Sequence, residues 1–276
     1  MILRCSDFSL SLDDPLIMGI INVTPDSFSD GGAFLSVSNA IEHGLRLIEE
    51  GAHILDVGGE STRPGAMPVD ESEELRRVIP VIEGLKDAGV PLSIDTQKTI
   101  VMREAITAGA SMVNDVNALL VEGAIEAVAS TDVAICLMHK QGNPKNMQEN
   151  PVYGDVVKEV GAFLRERVQA VESAGVARQR IVIDPGFGFG KTVEQNLQLL
   201  NRLPELAMEG IPLLVGLSRK SMLGQLTGQD VGERLPASLT VNVIAAQKGA
   251  KILRVHDVQA TRDALRVLKA VKESHD

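Results

Sequence analysis

Eight short apolar segments recur along the chain, and each one ends in a polar residue that is followed by a longer helical pattern. The clearest is Ile181–Asp184, in which three β-branched residues lead into a carboxylate and then into the loop PGFGFGK. Strands that are apolar on both faces are typical of a parallel sheet covered by helices. The repeat spans roughly 30 residues, the size of a β-loop-α unit, and therefore predicts an α/β fold.

The number of units narrows the fold further. Eight of them in about 250 residues fit a closed (β/α)8 TIM barrel. An open doubly wound sheet is the alternative, but no GxGxxG follows the first strand, which argues against its dinucleotide-binding form. We expect residues 1–276 to form a single domain, with Ile2–Asp14 as a short N-terminal hairpin or cap. The predicted strands are Leu16–Ile21, His53–Val57, Pro91–Ile94, Ser111–Val113, Val133–Leu137, Ile181–Ile183, Ile211–Leu217 and Ile252–Leu253.

Amphipathic patterns between these strands predict the helices. Asp70 with Glu73, and Thr192 with Gln195, fit capping boxes at two helix starts. Pro80 lies inside the second helical pattern and is expected to kink it. The predicted helices are Val37–Glu50, Glu71–Ala88, Gln97–Ala108, Arg234–Gln247 and Val258–Lys272. Two further helices are predicted, one that ends near Gly175 and one that begins at Thr192.

Composition and charge exclude several classes of protein. The net charge of −10 argues against nucleic acid as the main partner, and a chain with no Trp and one Tyr lacks the stacking platforms of single-strand binders. No apolar run approaches 18 residues, so we expect no membrane span. The N-terminus lacks the apolar core of a signal peptide. Two cysteines make no disulfide framework, and we expect a reduced, cytoplasmic protein.

Polar residues follow every predicted strand. In a barrel the carboxyl ends of the strands converge at one mouth, where active sites are built. A single Asp or Asn at such a position is more often a helix cap than a ligand. Eight positions together indicate a site. These residues are Asn22, Asp56, Asp95, Asn114, Met138 with His139, Asp184, Lys220, and Arg254 with His256.

The charges at these positions are divided between two groups of strands. Asp95, Asn114 and Asp184 follow strands three, four and six, and could pair with the edge of a flat heterocycle that bears adjacent N–H groups. Cationic residues follow strands seven and eight, where barrels of this kind commonly bind phosphate. Asn22 offers a hard oxygen that could bind Mg2+ beside phosphates.

At these residues the chain resembles the dihydropteroate synthase family of pterin-binding TIM barrels, and the similarity runs from Leu16 to Val258. The resemblance implies a transferase, usually a homodimer, that condenses 6-hydroxymethyl-7,8-dihydropterin diphosphate with 4-aminobenzoate in folate biosynthesis. It also implies that sulfonamides compete for the aminobenzoate site. The matching motifs are MGIINVTPDSFSDGG, DVGGESTRPGA, SIDT, VNDV, LMHKQGNP, DPGFGFGK, GLSRKS and RVHDV.

The resemblance also implies a role for individual residues. Pterin binding is expected at Asp95, Asn114, Met138, Asp184 and Lys220. Diphosphate binding is expected at Asn22, Arg254 and His256, with Mg2+ at Asn22. Aminobenzoate binding is expected at Phe28, Thr62, Arg63, Pro64, Phe189 and Ser221. His139 is expected to be structural.

We expect the reaction to be dissociative, because its reacting carbon is a methylene on an electron-rich ring that can share positive charge. The residues expected to be catalytic are Asp95, Asp184, Lys220, Arg254 and His256. Their charges would stabilise the cationic pterin and the departing diphosphate.

Three other functions remain open at this point. A pterin methyltransferase that works with a corrinoid protein would share the DPG-type pocket. A Schiff-base aldolase would use Lys220, activated by the neighbouring charge of Arg219. A pterin-binding module that has lost catalysis would keep the pocket without turnover.

Overall fold

The structure is a computed structural model that describes residues 1–23, 32–61, 68–142 and 151–274, with the side chains of 32–36 left aside. Eight parallel strands close into a barrel in the order β10-β3-β4-β5-β6-β7-β8-β9. The predicted TIM barrel is therefore confirmed, and the open doubly wound sheet is wrong. The strands are β1 (Ile2–Cys5), β2 (Phe8–Ser11), β3 (Leu16–Asn22), β4 (Ile54–Gly58), β5 (Leu92–Asp95), β6 (Met112–Asp115), β7 (Ala134–Met138), β8 (Ile181–Asp184), β9 (Leu213–Val215) and β10 (Ala250–Val255).

Two strands differ clearly from their predicted limits. β9 has three residues, whereas seven were predicted, because Pro212 has no N–H for a ladder and lies directly before it. β10 has six residues, whereas two were predicted. The polar residues Lys251 and Arg254 interrupt its apolar pattern, so only the two residues between them were predicted. Both are half-buried in the structure, where Lys251 donates to the carbonyl of Leu12.

Helices follow the barrel strands, as predicted. The sequence patterns missed α4, which has only six residues and is too short to show a clear period. Pro80 lies inside α2. The helices are α1 (Gly32–Glu50), α2 (Glu71–Leu85), α3 (Thr99–Ala108), α4 (Ala124–Ala129), α5 (Val156–Ser173), α6 (Val193–Asn201), α7 (Ser221–Thr227), α8 (Leu235–Gln247) and α9 (Val258–Glu273).

The two predicted capping boxes have different outcomes. At α6 both halves form, since Thr192 accepts from the Gln195 amide and the Gln195 side chain accepts from the Thr192 amide. At α2 Asp70 accepts from the Glu73 amide, but the Glu73 carboxylate binds Arg76 and Arg77 on its own helix. A charge-assisted pair within the helix replaces the reciprocal half of the box.

The predicted N-terminal hairpin is confirmed, with β1 and β2 antiparallel. Its apolar residues close the amino-terminal end of the barrel, where they pack on the first inward-facing residues of the strands. Chemistry is thereby confined to the opposite, carboxyl end. The buried cluster contains Leu3, Cys5, Leu12, Leu16, Met18, Ile54, Met112, Ala134, Cys136, Val182, Leu214 and Ile252.

No helix within the described ranges combines the length and the apolar character that crossing a bilayer requires. Cys5 and Cys136 are both buried and unpaired.

Candidate active site

A cavity of about 420 Å³ opens at the carboxyl ends of the barrel strands. The structure thus brings together side chains from positions far apart in the chain, on both the acidic and the cationic strands. Four predicted site residues, Phe28, Thr62, Arg63 and Pro64, lie outside the described residues. The predicted site residues that line the cavity are Asn22, Asp95, Asn114, Met138, Asp184, Phe189, Lys220, Ser221, Arg254 and His256.

Arg254 joins the two groups of strands at the base of the cavity. Its Nε donates to Asp56 at 2.6 Å, and its Nη2 donates to Asp95 at 2.6 Å. Asn114 donates to the same Asp56 oxygen at 3.1 Å. Four side chains from β4, β5, β6 and β10 therefore form one network, in which a single guanidinium serves two carboxylates.

Sequence reasoning missed the role of Asp56. It was recognised as a strand end but received no role. The apolar strand around Asp56 could have indicated this role, because a carboxylate that is buried needs a hydrogen-bond or charge partner. Asp56 is fully buried, and its second oxygen, Oδ1, has no hydrogen-bond partner within the described parts of the chain.

Burial and the charges of the network shift the pKa values of Asp95 and Arg254. Burial raises the pKa of Asp95 to about 7; Arg254 opposes this, and Asp56 adds to it. Burial alone would lower the pKa of Arg254, but Asp56 and Asp95 outweigh it, so the pKa of Arg254 is raised above its ordinary value. The guanidinium therefore stays charged, whereas Asp95 holds a proton more readily than it would in water.

Asp184 ends β8 on the far side of the cavity. Its Oδ1 accepts from the amide of Gly186 at 2.7 Å, which fixes the direction of the carboxylate. Burial raises the pKa of Asp184 to about 6, and Lys220 is among the cations that lower it. Asp184 is therefore largely ionised at neutral pH and can accept hydrogen bonds from a ligand.

Lys220 enters the cavity after a sharp turn behind β9. Arg219 has φ of 56° and forms a two-point ion pair with Asp257, at 3.0 and 2.5 Å. The Lys220 ammonium lies 4.2 Å from the centroid of the Phe189 ring. Because the Arg219 charge is balanced by Asp257, the arrangement does not favour the aldolase alternative, which needs that charge to act on Lys220.

Ser218 holds His256 in place. Its Oγ lies 3.0 Å from Nδ1 of the imidazole and accepts from the His256 amide at 3.3 Å. Sequence reasoning missed Ser218, because a serine beside a strand end gives no signal of a partner on the next strand. The contact directs the Nε2 side of His256 away from Ser218.

Comparison with known proteins identifies the family. The profile described as "Pterin binding enzyme" matches residues 18–256. The dihydropteroate synthase of Escherichia coli strain K12 is 52% identical over 263 residues, which cover 95% of this chain and 93% of that protein. This chain belongs to the dihydropteroate synthase family. It is accordingly an enzyme of folate synthesis that transfers a pterin alkyl group to form dihydropteroate.

Solved structures of dihydropteroate synthases share the fold. The Xanthomonas albilineans enzyme with 4-aminobenzoic acid is 55% identical, with a TM-score of 0.93 and 98% of each chain covered. The Burkholderia cenocepacia enzyme complexed with 7,8-dihydropteroate is 48% identical, with a TM-score of 0.92 and 99% of this chain and 97% of that chain covered.

Removing the shared cation should destabilise this dihydropteroate synthase fold. Arg254→Met leaves Asp56 and Asp95 buried without their partner, so we expect the free energy of unfolding to fall by about 3–5 kcal/mol at pH 8. Urea denaturation measures it. The loss should shrink at pH 5, because burial raises the folded-state pKa of Asp95, which then takes up a proton as the pH falls.

Arg219→Met is the matched control, since it breaks an Arg–Asp pair at the same mouth that is more exposed. We expect it to cost less than about 1 kcal/mol, with little dependence on pH. Equal losses in the two variants would contradict the assigned importance of the buried network.

Proposed function

We propose that this chain condenses 6-hydroxymethyl-7,8-dihydropterin diphosphate with 4-aminobenzoate, yielding 7,8-dihydropteroate and diphosphate. The observation that carries the proposal is the charge pattern of one cavity. Asp95, Asn114 and Asp184 give this cavity acidic and amide groups, and Lys220, Arg254 and His256 give it cationic groups or hydrogen-bond donors. A flat base with N–H groups and an anionic tail need both kinds of group in one cavity.

The pterin is assigned to the acidic and amide residues, with Lys220 beside them. The carboxylate of Asp184 would accept from the amino group and the adjacent ring N–H, and Asn114 can both accept and donate. Lys220 would donate to the oxo and ring-nitrogen edge. Met138 is 4% exposed and belongs to a small apolar cluster with Val116 and Phe189, which suits contact with a ring face.

The diphosphate is assigned to Asn22, Arg254 and His256. The metal that we propose is Mg2+, which binds proteins through one or two oxygens and completes its shell with substrate phosphates and water. Asn22 lines the cavity, and its side-chain amide has an oxygen that could serve as the protein ligand in that mode. Bound Mg2+ would neutralise part of the diphosphate charge.

The aminobenzoate is assigned to the outer part of the cavity. Phe189 offers an aromatic surface there, and Ser221 offers a hydroxyl at the first turn of α7 for the carboxylate. Phe28, Thr62, Arg63 and Pro64 complete this part of the proposal. Sulfonamides would compete at the same place.

We propose a dissociative mechanism. The bond between the pterin methylene and the diphosphate oxygen breaks first, and its electron pair leaves with diphosphate, which Arg254 and His256 stabilise. Asp95 and Asp184 stabilise the positive charge that spreads over the pterin ring. The aromatic amine then forms the C–N bond through its lone pair and loses a proton to water.

We further propose a single-domain, cytoplasmic homodimer. The unpaired state of both buried cysteines is compatible with a reducing compartment. The face formed by α7 and α8 is a candidate contact with a second copy, because Leu226 and Val231 are 51% and 50% exposed there and α8 carries the apolar sequence LPASLTVNVIAAQ.

Diphosphate release tests the activity. We expect release only when the pterin diphosphate and 4-aminobenzoate are both present, and a large loss when Mg2+ is chelated. Ion chromatography of quenched reactions measures the diphosphate directly. Methyl transfer from a methylated pterin to a corrinoid protein, without diphosphate release, would favour the methyltransferase, and binding without turnover would favour the non-catalytic module.

Asp184→Ala should separate the two substrates. Loss of an ionic hydrogen-bond partner costs roughly 1.5–3 kcal/mol, so we expect about ten- to hundredfold weaker pterin binding and a much smaller change for 4-aminobenzoate. Calorimetry with a pterin analogue and with 4-aminobenzoate measures both. Similar losses for both ligands would refute the assignment of Asp184.

Positional isotope exchange tests the order of bond breaking. In a substrate labelled at the bridging oxygen, a dissociative reaction should scramble the label, because diphosphate can rotate before the carbon is recaptured. 31P NMR of recovered substrate, with a non-nucleophilic aminobenzoate analogue bound, measures the position of the label. No scrambling, in an enzyme that turns over with 4-aminobenzoate, would favour direct displacement.

A further inference from the structure

Lys191 closes the PGFGFGK loop from behind the cavity wall. Its side chain is almost fully buried, at 2% exposure. Nζ donates to the carbonyls of Gly186 at 2.9 Å and Phe189 at 3.0 Å, and lies 3.0 Å from Nδ1 of His139. These acceptors use the three hydrogens of an ammonium group. Lys191 is not among the residues that line the cavity, so it acts through the loop and not by touching substrate.

The loop lies directly against the segment that follows β7. Gly186 and Gly190 have φ of 69° and 62°. A Cβ atom on them would lie 1.8 Å from the carbonyl oxygen of His139 and 2.3 Å from that of Gln141. Only glycine permits so close an approach of two backbones. Carbonyl groups consequently converge on one buried point, and the ammonium of Lys191 satisfies them there.

The same loop carries the groups that face the cavity. The ring of Phe189 supports the Lys220 ammonium, and a Cβ on Gly188 would lie 3.2 Å from Cδ of Lys220. The Gly186 amide holds the Asp184 carboxylate. A displacement of the Gly186 and Phe189 carbonyls would therefore move the Phe189 ring first, and Asp184 and Lys220 with it.

We propose that Lys191 and His139 form a buried clasp that positions Phe189 to receive 4-aminobenzoate. The inference rests on the proposed function and deepens it, since it assigns a task to two residues that make no contact with the cavity. Lys191 is a positioning residue, and His139 is the acceptor that fixes its ammonium.

The charge states of the pair suit this task. Burial lowers the pKa of His139 to about 3, so the imidazole is neutral and can accept at Nδ1. Burial also lowers the pKa of Lys191 to about 7, while Asp184 raises it and Lys220 lowers it. A neutral amine has one N–H fewer, so deprotonation of Lys191 frees one of its acceptors.

The chain contains its own reporter of the clasp. Tyr153 is the only tyrosine, and there is no tryptophan. Its hydroxyl donates to the carbonyl of Gly190 at 3.0 Å, and its ring lies 6.1 Å from that of His139. Intrinsic fluorescence of the protein therefore reports the surroundings of this loop.

Lys191→Met removes the ammonium and keeps an unbranched side chain that is one atom shorter. We expect kcat/KM for 4-aminobenzoate to fall about ten- to hundredfold, mainly through KM, because a displacement of about 1 Å has effects of that size. KM for the pterin diphosphate should rise by a smaller factor, since only Asp184 and Lys220 of its proposed contacts adjoin the loop, whereas Asp95 and Asn114 lie on other strands. Lys158→Met, on the exposed face of α5, is the control and should leave both constants unchanged.

A matched pair at His139 keeps the proposal testable if Lys191→Met fails to fold. Asn and Leu have nearly the same shape, and both lose the imidazole contact with Phe163. Only Asn places an acceptor where Nδ1 stood. We expect His139→Asn to retain most of the affinity for 4-aminobenzoate and His139→Leu to lose about tenfold or more. Equal constants in the two folded variants would overturn the clasp.

Tyr153 fluorescence separates failure of the clasp from failure of the proposed function, because it needs no substrate. In the unmodified protein we expect a transition near pH 7 that is absent in Lys191→Met. Asp184→Asn should shift the transition to lower pH, since the carboxylate raises the Lys191 pKa. A Tyr153 emission spectrum at constant pH that is identical with and without Lys191 would overturn the clasp even in an active enzyme, because the ammonium and the Tyr153 hydroxyl bind the same loop. A Lys191-dependent transition in a protein that releases no diphosphate would overturn the function alone.

Discussion

The mouth of the barrel depends on one guanidinium that serves two buried carboxylates. Arg254 reaches Asp56 and Asp95 from the last barrel strand, and Asn114 adds a hydrogen bond from a third direction. Such a network costs desolvation energy and is held only when its members satisfy one another. It contributes less to stability than apolar residues of the same volume would. What it provides is a fixed arrangement of acidic, amide and cationic groups at the mouth of the barrel.

The glycine-rich loop after β8 solves a different problem. A ligand site needs a rigid aromatic surface and a directed carboxylate, but the intervening residues belong to a loop, which would ordinarily be mobile. Here three glycines with positive φ let the loop lie on the neighbouring backbone. Two buried polar side chains then hold it from within: Lys191 binds its carbonyls, and Asn196 accepts from the Gly188 amide at 2.8 Å. Rigidity comes from buried hydrogen bonds, not from apolar packing alone.

The N-terminal hairpin closes the other end of the barrel and so limits the site to the carboxyl end. By filling the amino-terminal end with Leu3, Cys5 and Leu12, it leaves the barrel one open end. The apolar interior below the site lowers the local dielectric, which strengthens each interaction of the charges above it. The raised pKa values of Asp95 and Asp184 are direct consequences of that burial.

Local sequence patterns were sufficient for the architecture and for the positions of most site residues. The period of apolar strands and amphipathic helices determined the closed barrel, and strand ends such as Asp95, Asp184 and His256 could be named because every strand of a barrel ends at the same mouth. The Thr192 capping box could be named because all of its atoms lie within four residues. The short α4 was missed and β10 was predicted with two of its six residues, since their patterns are too brief or too mixed to show a period.

Tertiary structure alone decided which side chains meet. The bond between Asp56 and Arg254 joins residues 198 positions apart, and that between His139 and Lys191 joins residues 52 positions apart. No local pattern records such a pairing, because a strand end fixes where a side chain begins and not where its polar atoms find a partner. The sequence determined that acidic, amide and cationic groups would share one rim. Closure of the barrel, which sets the distances across that rim, decided that one arginine would bind two of the acids and that a buried lysine would hold the loop beneath the aromatic ring.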